Sequence, residues 1–453
     1  MTPIPCEKIF LDATLHDLYA PDLGKDEEVT LFYFNYTEAL ALKYGISKPR
    51  RFIYQYGSAV IEDEAFVIGL YLQQYPLHMT FFAGKMPVYM MDVNDDAGYK
   101  EDVLRVFAHL TTDQQPRVSF FKGPAEPICS PGERVAVLNP TDSLLELPHL
   151  VNPDVQFLLQ CKRTLAFSGL PTPATEVIDT HLQPLEVQDE AVISREVQLI
   201  LNRVHQRKLP FVLKLQQSAG SLGTFFFRSE KDRQRWIPEV EVELRRALRQ
   251  LNSSNQIFHP ASLVIQSFVS GDTVAIAMFI PKQGDPVFLG GSAQFLNDQE
   301  QWIGGSISYR EQDSISENYS PIMRQVARFV QQHGYHGPFC MDLMTDSNGN
   351  HLVIDLNPRC PAGAALGVLR THFSRQRNLD EAALIMPLCV SGTRDRFEKE
   401  FSEQCLEGRL VITSWCYLRG SNRSMAGVIF AAETKEKLRA FITILEDYQA
   451  RVE

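Results

Sequence analysis

The chain has 453 residues, of which 44% are hydrophobic and 22% charged, and its formal net charge is −11. This composition is typical of a globular protein with about three domains, and it excludes a disordered or fibrous chain. The negative charge opposes non-specific binding to nucleic acid or to anionic membranes. The first residues show no basic segment followed by an apolar core, and no apolar run of about 18 residues occurs, so we expect a cytoplasmic protein that does not span a membrane.

Residues 1–153 are predicted to form an N-terminal α/β domain that opens onto a cleft, because short apolar runs alternate with polar breaks. The pattern indicates one helix, over residues 99–111. The predicted strands are 28–36, 51–56, 79–82, 87–93, 117–121 and 134–138.

Residues 209–227 show the pattern of a strand, a loop of small residues at 218–224 and a second strand. Such a loop lets successive backbone N–H groups surround phosphate oxygens, and Lys214 on the first strand adds a positive charge there. The loop contains neither a Gly-Lys-Ser/Thr sequence nor a GxGxxG sequence, which argues against a Walker loop and a dinucleotide fold.

A second pair of strands is predicted over residues 262–280, with a connector at 267–271 between them. Gln266 ends the first strand and Asp272 begins the second. Helical periodicity is clear in three further segments, 189–208, 237–251 and 320–334.

The most informative segment is 337–359, in which two apolar runs flank the turn sequence Asp-Ser-Asn-Gly-Asn. This pattern predicts a β-hairpin with Asp342 on the first strand. Asp355, Asn357 and Arg359 share one face of the second strand, and Asp342 can lie opposite them. Mg²⁺ prefers such hard oxygen ligands, and an arginine can neutralise charge beside them. The alternative is a charged hairpin face with a solvated arginine.

The rest of the chain shows weaker signals. Residues 373–402 are charged and irregular, and they are followed by predicted strands at 410–417 and 425–431 and a helix at 434–449. We expect these last elements to form a small C-terminal lid. Two Gly-Gly-Ser sequences, at 290–292 and 304–306, are predicted to be turns near the approach of a substrate.

The eight cysteines are scattered without a CxxC pair, which argues against a zinc site or a disulfide framework and fits a reducing compartment. Cys360 follows Arg359 directly, and we favour a structural role for it over that of a nucleophile.

Over about residues 157–373, the order of these features resembles the ATP-grasp superfamily of the carboxylate–amine ligase type. That order is lysine strand, small-residue loop, apolar connector with an acid after it, then Asp…Asp-x-Asn-x-Arg. The resemblance implies an α/β (α+β) fold with a pre-ATP domain at 1–153 and a C-terminal subdomain at 374–453. Between them it implies an ATP-grasp domain at 154–373, whose lobes 154–260 and 261–373 hold the nucleotide between two sheets.

The whole length and the N-terminal half also resemble a group of fungal proteins described as solid-state-culture-specific ATP-grasp proteins.

The resemblance implies a role for each matching position. Lys162, shortly ahead of a Gly-Leu-Pro-x-Pro turn, and Lys214 correspond to phosphate-binding lysines, Asp342, Asp355 and Asn357 to metal ligands, and Arg359 to the catalytic arginine. The mobile loop would include Ser218, Ala219, Gly220, Ser221 and Gly223, the adenine hinge Gln266, Ser267, Phe268 and Val269, the ribose acid Asp272, and the substrate site Gly304, Gly305, Gly363 and Ala364. One departure is Gln266, where the family usually has an acidic residue.

The predicted function is that of an ATP-dependent ligase, which activates a carboxylic acid as an acyl phosphate and condenses it with an amine, releasing ADP and phosphate. The resemblance implies ATP and Mg²⁺ as cofactors, with two Mg²⁺ ions that Mn²⁺ can replace, and it is compatible with a homodimer. The expected partners are a small-molecule carboxylate and an amine, without nucleic acid or membrane. Two alternatives remain open: a phosphotransferase, and a nucleotide-binding protein without turnover. The joint presence of Asp342, Asp355, Asn357 and Arg359 argues against the second.

Overall fold

The computed structural model describes residues 8–33, 50–55, 68–92, 95–122, 132–218, 223–298, 300–418 and 421–450. Three sheets organise these residues: a four-stranded parallel sheet, a four-stranded antiparallel sheet and an eight-stranded antiparallel sheet. Helices pack against all three, so the predicted α/β fold is confirmed.

The N-terminal unit contains the parallel sheet, with the strand order β3-β2-β1-β4. A parallel sheet is covered on both faces, and four of the five residues of β1 are accordingly buried. The strands are β1 (Glu28–Phe32), β2 (Pro87–Met91), β3 (Arg117–Phe121) and β4 (Glu133–Val137). They confirm four of the predicted strands over the described residues, and the predicted helix at 99–111 is observed as Ala97–Ala108, capped by Asp96.

Two other predicted strands of this unit are wrong. Residues 51–55 have no regular structure, and residue 56 lies outside the described residues. The run 79–82 is instead the end of a helix, Tyr75–Met79, and the turn after it. The hydroxyl of Thr80 donates to the carbonyl oxygens of Pro76 and Leu77, both at 3.0 Å, and so closes that turn. A short apolar run does not distinguish a strand from a buried helix end by its periodicity.

The second sheet has the order β5-β8-β6-β7, with neighbouring strands antiparallel. Its strands are β5 (Thr175–Ile178), β6 (Phe211–Leu215), β7 (Thr224–Phe227) and β8 (Leu263–Ser267). The helices Glu190–Gln206 and Glu230–Gln250 share one core with this sheet. The second helix begins seven residues before the prediction, because Ser229 and Asp232 form a capping box there.

The third sheet has the order β13-β12-β9-β10-β11-β14-β16-β15. The helix Gln312–Gln332 shares a core with β9, β12 and β13. The strands are β9 (Thr273–Ile280), β10 (Val287–Leu296), β11 (Trp302–Ser308), β12 (Gly337–Thr345), β13 (His351–Asn357), β14 (Glu381–Ser391), β15 (Leu410–Leu418) and β16 (Arg423–Ala432), and the helix Lys435–Ala450 follows them.

The last three strands change two expectations. Residues 373–402 are not irregular, since they include β14 and the helix Arg394–Glu400. The predicted strands at 410–417 and 425–431 form, but they extend the sheet that carries the hairpin, because β14 pairs with both β11 and β16. The proposed domain limits stay a prediction, and the sheet itself shows no boundary at residue 373.

The two Gly-Gly-Ser sequences are not turns but lie inside β10 and β11. Their glycines permit close packing within and above the sheet. Gly304 has a φ of +148°, and a Cβ there would overlap the carbonyl oxygen of Leu384 on β14. Gly290 faces Gly367, which lets the short helix Ala364–Gly367 lie directly on β10.

The N-terminal unit packs on the third sheet through residues 69–79, where a π-helical turn, Gly69–Gln74, continues into the helix Tyr75–Met79. Gln74 Nε2 donates to Ser414 Oγ of β15 at 2.8 Å. His78 Nδ1 lies 2.7 Å from Thr413 Oγ1, also on β15. This packing places the N-terminal unit beside the hairpin β12–β13.

Within the described residues, no helix is long and apolar enough to cross a membrane.

Candidate active site

The hairpin β12–β13 brings the predicted metal ligands together. Its register places Asp342 opposite Asp355 and Cys340 opposite Asn357. A bulge follows Asp342, and it leaves Ile354 without a partner in the register. The predicted hairpin and the predicted convergence of Asp342 with Asp355 are therefore confirmed.

Two lysines from the other side of the cleft reach this hairpin. Lys162 Nζ lies 2.5 Å from Asp355 Oδ1, and Lys214 Nζ donates to the carbonyl oxygen of Ile354 at 2.6 Å. Both side chains are buried, with 6% and 7% of their residue surfaces exposed. Burial lowers the pKa of Lys214 to about 8, although the Asp355 carboxylate acts in the opposite direction.

Asp342 carries a second contact, which the sequence analysis missed. Gln294 Nε2, from β10, donates to Asp342 Oδ1 at 2.9 Å. Burial and the neighbouring Asp355 carboxylate raise the pKa of Asp342 above the usual carboxyl range. A signal for Gln294 did exist, because Ser292 and Gln294 are polar residues at alternate positions of one strand.

The three predicted ligands suit a hard cation. Asp342, Asp355 and Asn357 offer two carboxylates and one amide oxygen, which is the donor chemistry that Mg²⁺ takes while leaving positions for phosphate oxygens. No group of three or more His, Cys, Asp or Glu residues that could hold a metal occurs in the described parts of the chain. A cation at this hairpin therefore depends on the amide oxygen of Asn357 and on oxygens from a bound ligand.

Arg359 is held by two asparagines. Its Nη2 donates to Asn357 Oδ1 at 2.7 Å, and its Nη1 donates to Asn139 Oδ1 at 3.4 Å. Asn139 follows β4 of the N-terminal unit and also accepts a hydrogen bond from Gln160 Nε2 at 3.1 Å. The N-terminal unit thus positions the arginine. No local pattern in the sequence indicates Asn139, because it lies 220 residues from Arg359.

These groups surround one cavity of about 960 Å³, whose walls come from the second and third sheets and from residues 70–79. Most of the predicted site residues line it: Lys162, Lys214, Ser218, Gln266, Ser267, Phe268, Val269, Gly305, Asp342, Asp355, Asn357, Arg359 and Gly363.

Four predicted residues lie beside the cavity rather than on its wall. Gly223 accepts a hydrogen bond from the Leu215 amide at 2.8 Å, where β6 meets β7. Asp272 is exposed and follows Gly271, which does line the cavity. Gly304 packs against β14, and Ala364 is buried at the start of its short helix, so neither is placed to touch a substrate. The predicted loop residues Ala219, Gly220 and Ser221 lie outside the described residues.

Two residues of the predicted hinge, Gln266 and Ser267, form hydrogen bonds within the protein. Gln266 is buried, and its Nε2 donates to Thr175 Oγ1 at 3.2 Å. The Ser267 amide donates to the Ala174 carbonyl at 2.9 Å, so this N–H is engaged within the protein, and the role of Ser267 in binding an adenine base stays a prediction. Arg228, not predicted, lies near the hinge with its guanidinium 5.7 Å from the Phe268 ring centre. It also forms an ion pair with Glu300 at 2.8 Å, which links the end of β7 to the turn between β10 and β11.

Comparison with known proteins agrees with this geometry. Residues 207–367 match the family model described as an ATP-grasp domain. The chain contains an ATP-grasp domain. The matched range includes Lys214, the hinge and the whole hairpin. The resemblance drawn from the sequence is thereby confirmed, and the closer likeness to a fungal group stays a prediction.

Solved structures with this fold include ligases. Phosphoribosylamine–glycine ligase from Thermotoga maritima is 12% identical, with a TM-score of 0.50, and the alignment covers 82% of this chain and 93% of that one. N5-carboxyaminoimidazole synthetase from Staphylococcus aureus, complexed with ADP, is 12% identical, with a TM-score of 0.49 and the same coverage. Carboxyaminoimidazole ribonucleotide synthase from Aspergillus clavatus, complexed with ATP, is 13% identical, with a TM-score of 0.48, and covers 83% and 96%. At 12% identity the likeness to the Thermotoga maritima structure concerns the fold alone. No curated protein sequence matches the chain.

Proposed function

We propose that the protein is an ATP-dependent ligase that activates a carboxylic acid as an acyl phosphate and joins it to an amine. One observation carries the proposal: the convergence of Lys162, Lys214 and Arg359 with Asp342, Asp355 and Asn357 around the cavity of an ATP-grasp domain. Cations and oxygen ligands side by side suit the transfer of a phosphoryl group.

The nucleotide would lie between the two sheets. Val269 and the hinge would hold the adenine, and Lys162 and Lys214 would bind the phosphates. Both lysines are buried, so their charges are little screened by water and act strongly on a phosphate. A bound phosphate would raise the pKa of Lys214 and keep its ammonium charged.

Asp342, Asp355 and Asn357 would hold Mg²⁺. When bound, Mg²⁺ supplies positive charge that offsets the repulsion between phosphate oxygens and an incoming carboxylate. Lys162, which pairs with Asp355, would then also lie beside the phosphates.

In the first proposed step a carboxylate oxygen attacks the γ-phosphorus of ATP. The bond between that phosphorus and the β–γ bridging oxygen breaks, and ADP leaves with the electron pair. Arg359 and the two lysines stabilise the negative charge on the transferred group. In the second step the amine nitrogen attacks the acyl carbon, phosphate leaves with the electron pair of the C–O bond, and the nitrogen loses a proton.

The name of the Thermotoga maritima neighbour pairs an amine with an amino acid, and that is the reaction class proposed here. The test measures ADP release with carboxylic acids in the presence and absence of hydroxylamine. A trapped hydroxamate supports the acyl phosphate. ADP with a stable phosphorylated product indicates a phosphotransferase instead, and nucleotide binding without ADP release indicates a protein without turnover.

A further inference from the structure

Part of the cavity lining is apolar and has no role in the steps above. We call it the apolar compartment, and the side chains that define it are Leu70, Tyr71, Tyr75, Met79, Leu366 and Leu384. Residues 70–79 form one wall, the short helix Ala364–Gly367 a second, and β11 with β14 a third.

Tyr71 and Tyr75 line the cavity on the wall formed by residues 70–79, which we call the tyrosine wall. Tyr71, Tyr75 and Met79 follow one another at intervals of four residues through the π-helical turn and the helix after it, so they share a face. Between residues 68 and 80, Tyr71 and Tyr75 are partly exposed and all other side chains are buried. Their ring centres lie 6.1 Å apart, with an angle of 29° between the planes. The two rings therefore present a continuous aromatic surface to the cavity.

This wall is fixed in place. Gln74 Nε2 donates to Ser414 Oγ at 2.8 Å, and Cys416 Sγ donates to Gln73 Oε1 at 2.9 Å. A Cβ on Gly69 would overlap Leu418 and Met425, so the segment lies close against the sheet. A surface held by such contacts is preorganised for a ligand.

The compartment begins directly beside the catalytic arginine. Cys360 Sγ donates to the Met79 carbonyl oxygen at 3.2 Å, and His78 Nε2 lies 2.9 Å from the Ala362 carbonyl oxygen. These contacts tie residues 360–362, which follow Arg359, to the tyrosine wall. A carboxylate paired with Arg359 would therefore extend its remaining atoms along Met79 and Tyr75.

Among the described residues, the positively charged side chains that line the cavity are not part of the apolar compartment. The described residues that line it include four cations, Lys162, Lys214, Arg228 and Arg359, and no histidine. Each has a partner already: Asp355, the Ile354 carbonyl, Glu300, and the two asparagines. None belongs to the apolar compartment. A phosphate or second carboxylate there would lose its hydration without a charged partner, which is strongly unfavourable.

We propose that the acid activated by this protein is a monocarboxylic acid with a large aromatic or alkyl body and no phosphate. Its carboxylate lies beside Arg359, and its body fills the apolar compartment. This inference rests on the proposed ligase function, and it names the class of substrate.

The first experiment compares acids in the ADP-release assay with hydroxylamine. We expect 3-phenylpropanoate and octanoate to give kcat/KM values at least about ten-fold above those of succinate and 3-phosphoglycerate, because the apolar body is desolvated on binding. A preference for succinate or 3-phosphoglycerate would overturn the inference.

A binding measurement separates this inference from the ligase chemistry. Calorimetry with protein saturated with ADP and Mg²⁺ should show binding of 3-phenylpropanoate, and 2-phenylethylamine should not compete. Binding without ADP release from any acid would overturn the proposed ligase chemistry and leave the apolar acid site standing. Absence of both binding and turnover with the two apolar acids would overturn the apolar site.

Substitutions in the cavity lining test where the acid binds. Tyr75→Ala should weaken 3-phenylpropanoate binding by about ten-fold or more, while Tyr417→Ala, which alters a tyrosine outside the cavity lining, should leave it unchanged. Ile303→Arg adds a cation at a partly exposed position on the β11 wall, and should shift the preference toward succinate. ADP affinity and thermal melts report whether each variant is folded. If Tyr75→Ala does not fold, Ile303→Arg decides, and unchanged acid preference in that variant would refute the assignment.

Discussion

Arg359 is the proposed catalytic residue, and its hydrogen bonds hold it in one orientation. Two of its nitrogens donate to Asn357 and Asn139, which orients the planar guanidinium toward the cavity. We predict that Arg359→Lys lowers kcat by about 100-fold and changes KM for ATP little, because lysine keeps the charge and loses the fork. Steady-state kinetics beside a thermal melt measures this.

The control for that variant is Arg324→Lys, at an exposed arginine that pairs with Asp285 outside the cavity. A purely structural Arg359 would give a lower melting temperature with a normal kcat per folded molecule, and that result would refute the catalytic role.

Asn357 and Asp355 both test the proposed metal site, and each also contacts a neighbouring cation. Asp355→Asn leaves the buried Lys162 without its ion pair, and Asn357→Ala removes the oxygen that accepts a hydrogen bond from Arg359, so the Mg²⁺ dependence of each variant is what reports on the metal. We predict that Asn357→Ala abolishes ADP release at Mg²⁺ concentrations that saturate the parent, because one of the three proposed oxygen ligands is lost. Asn348→Ala, in the exposed turn of the same hairpin, should behave as the parent does. An unaltered Mg²⁺ titration in the Asn357 variant would refute the proposal that Asn357 is a metal ligand.

Lys214 distinguishes phosphate binding from base binding. Lys214→Ala should weaken ATP by about 1.5 to 3 kcal/mol, the usual contribution of a hydrogen bond to a charged group, and leave adenosine nearly unaffected. Lys208→Ala, at an exposed lysine just before β6, is the matched control. Equal losses for ATP and adenosine in calorimetry would contradict a phosphate-binding role.

The segment from Gly69 to Met79 joins the N-terminal unit to the site. Within it, both ring nitrogens of His78 form hydrogen bonds, one with Thr413 and one with Ala362. Burial lowers the pKa of His78 to about 4. The unfolded chain, with an ordinary histidine pKa of about 6.5, therefore binds a proton between pH 6.5 and 4 that the folded chain excludes. Stability contributed by the neutral ring is full above this window and declines as the pH falls through it.

We therefore predict that His78→Gln reduces the loss of unfolding free energy between pH 7 and pH 5, by about 2 kcal/mol at pH 5. Chemical denaturation at both pH values measures this, with His205→Gln as the control at an exposed histidine. An identical pH dependence in the His78 variant and the parent would show that the ring is not protected when folded.

Across the whole molecule, the features that could be predicted from the sequence are those formed by residues close together in the chain. The hairpin with Asp342 and Asp355, the lysine strand and the hinge each lie within about twenty residues and carry a periodic pattern, so their geometry follows from strand alternation. Asn139 and Tyr75 could not be predicted as site residues, because each reaches the cavity through packing between distant segments. The strand β14 was missed for the same reason, since its neighbours β11 and β16 are set by long-range pairing.

The continuous eight-stranded sheet also determines where the chain can be shortened. Residues 304–308 of β11 pair with residues 381–385 of β14, so removing residues 374–453 would leave β11 as an open edge strand. That strand, Trp-Ile-Gly-Gly-Ser-Ile-Ser, has neither a charge nor a proline to prevent pairing with another molecule. We predict that a chain ending at Phe373 self-associates through this edge, as size-exclusion chromatography would show. A monomeric fragment that still binds ADP would instead demonstrate the domain boundary predicted at residue 373.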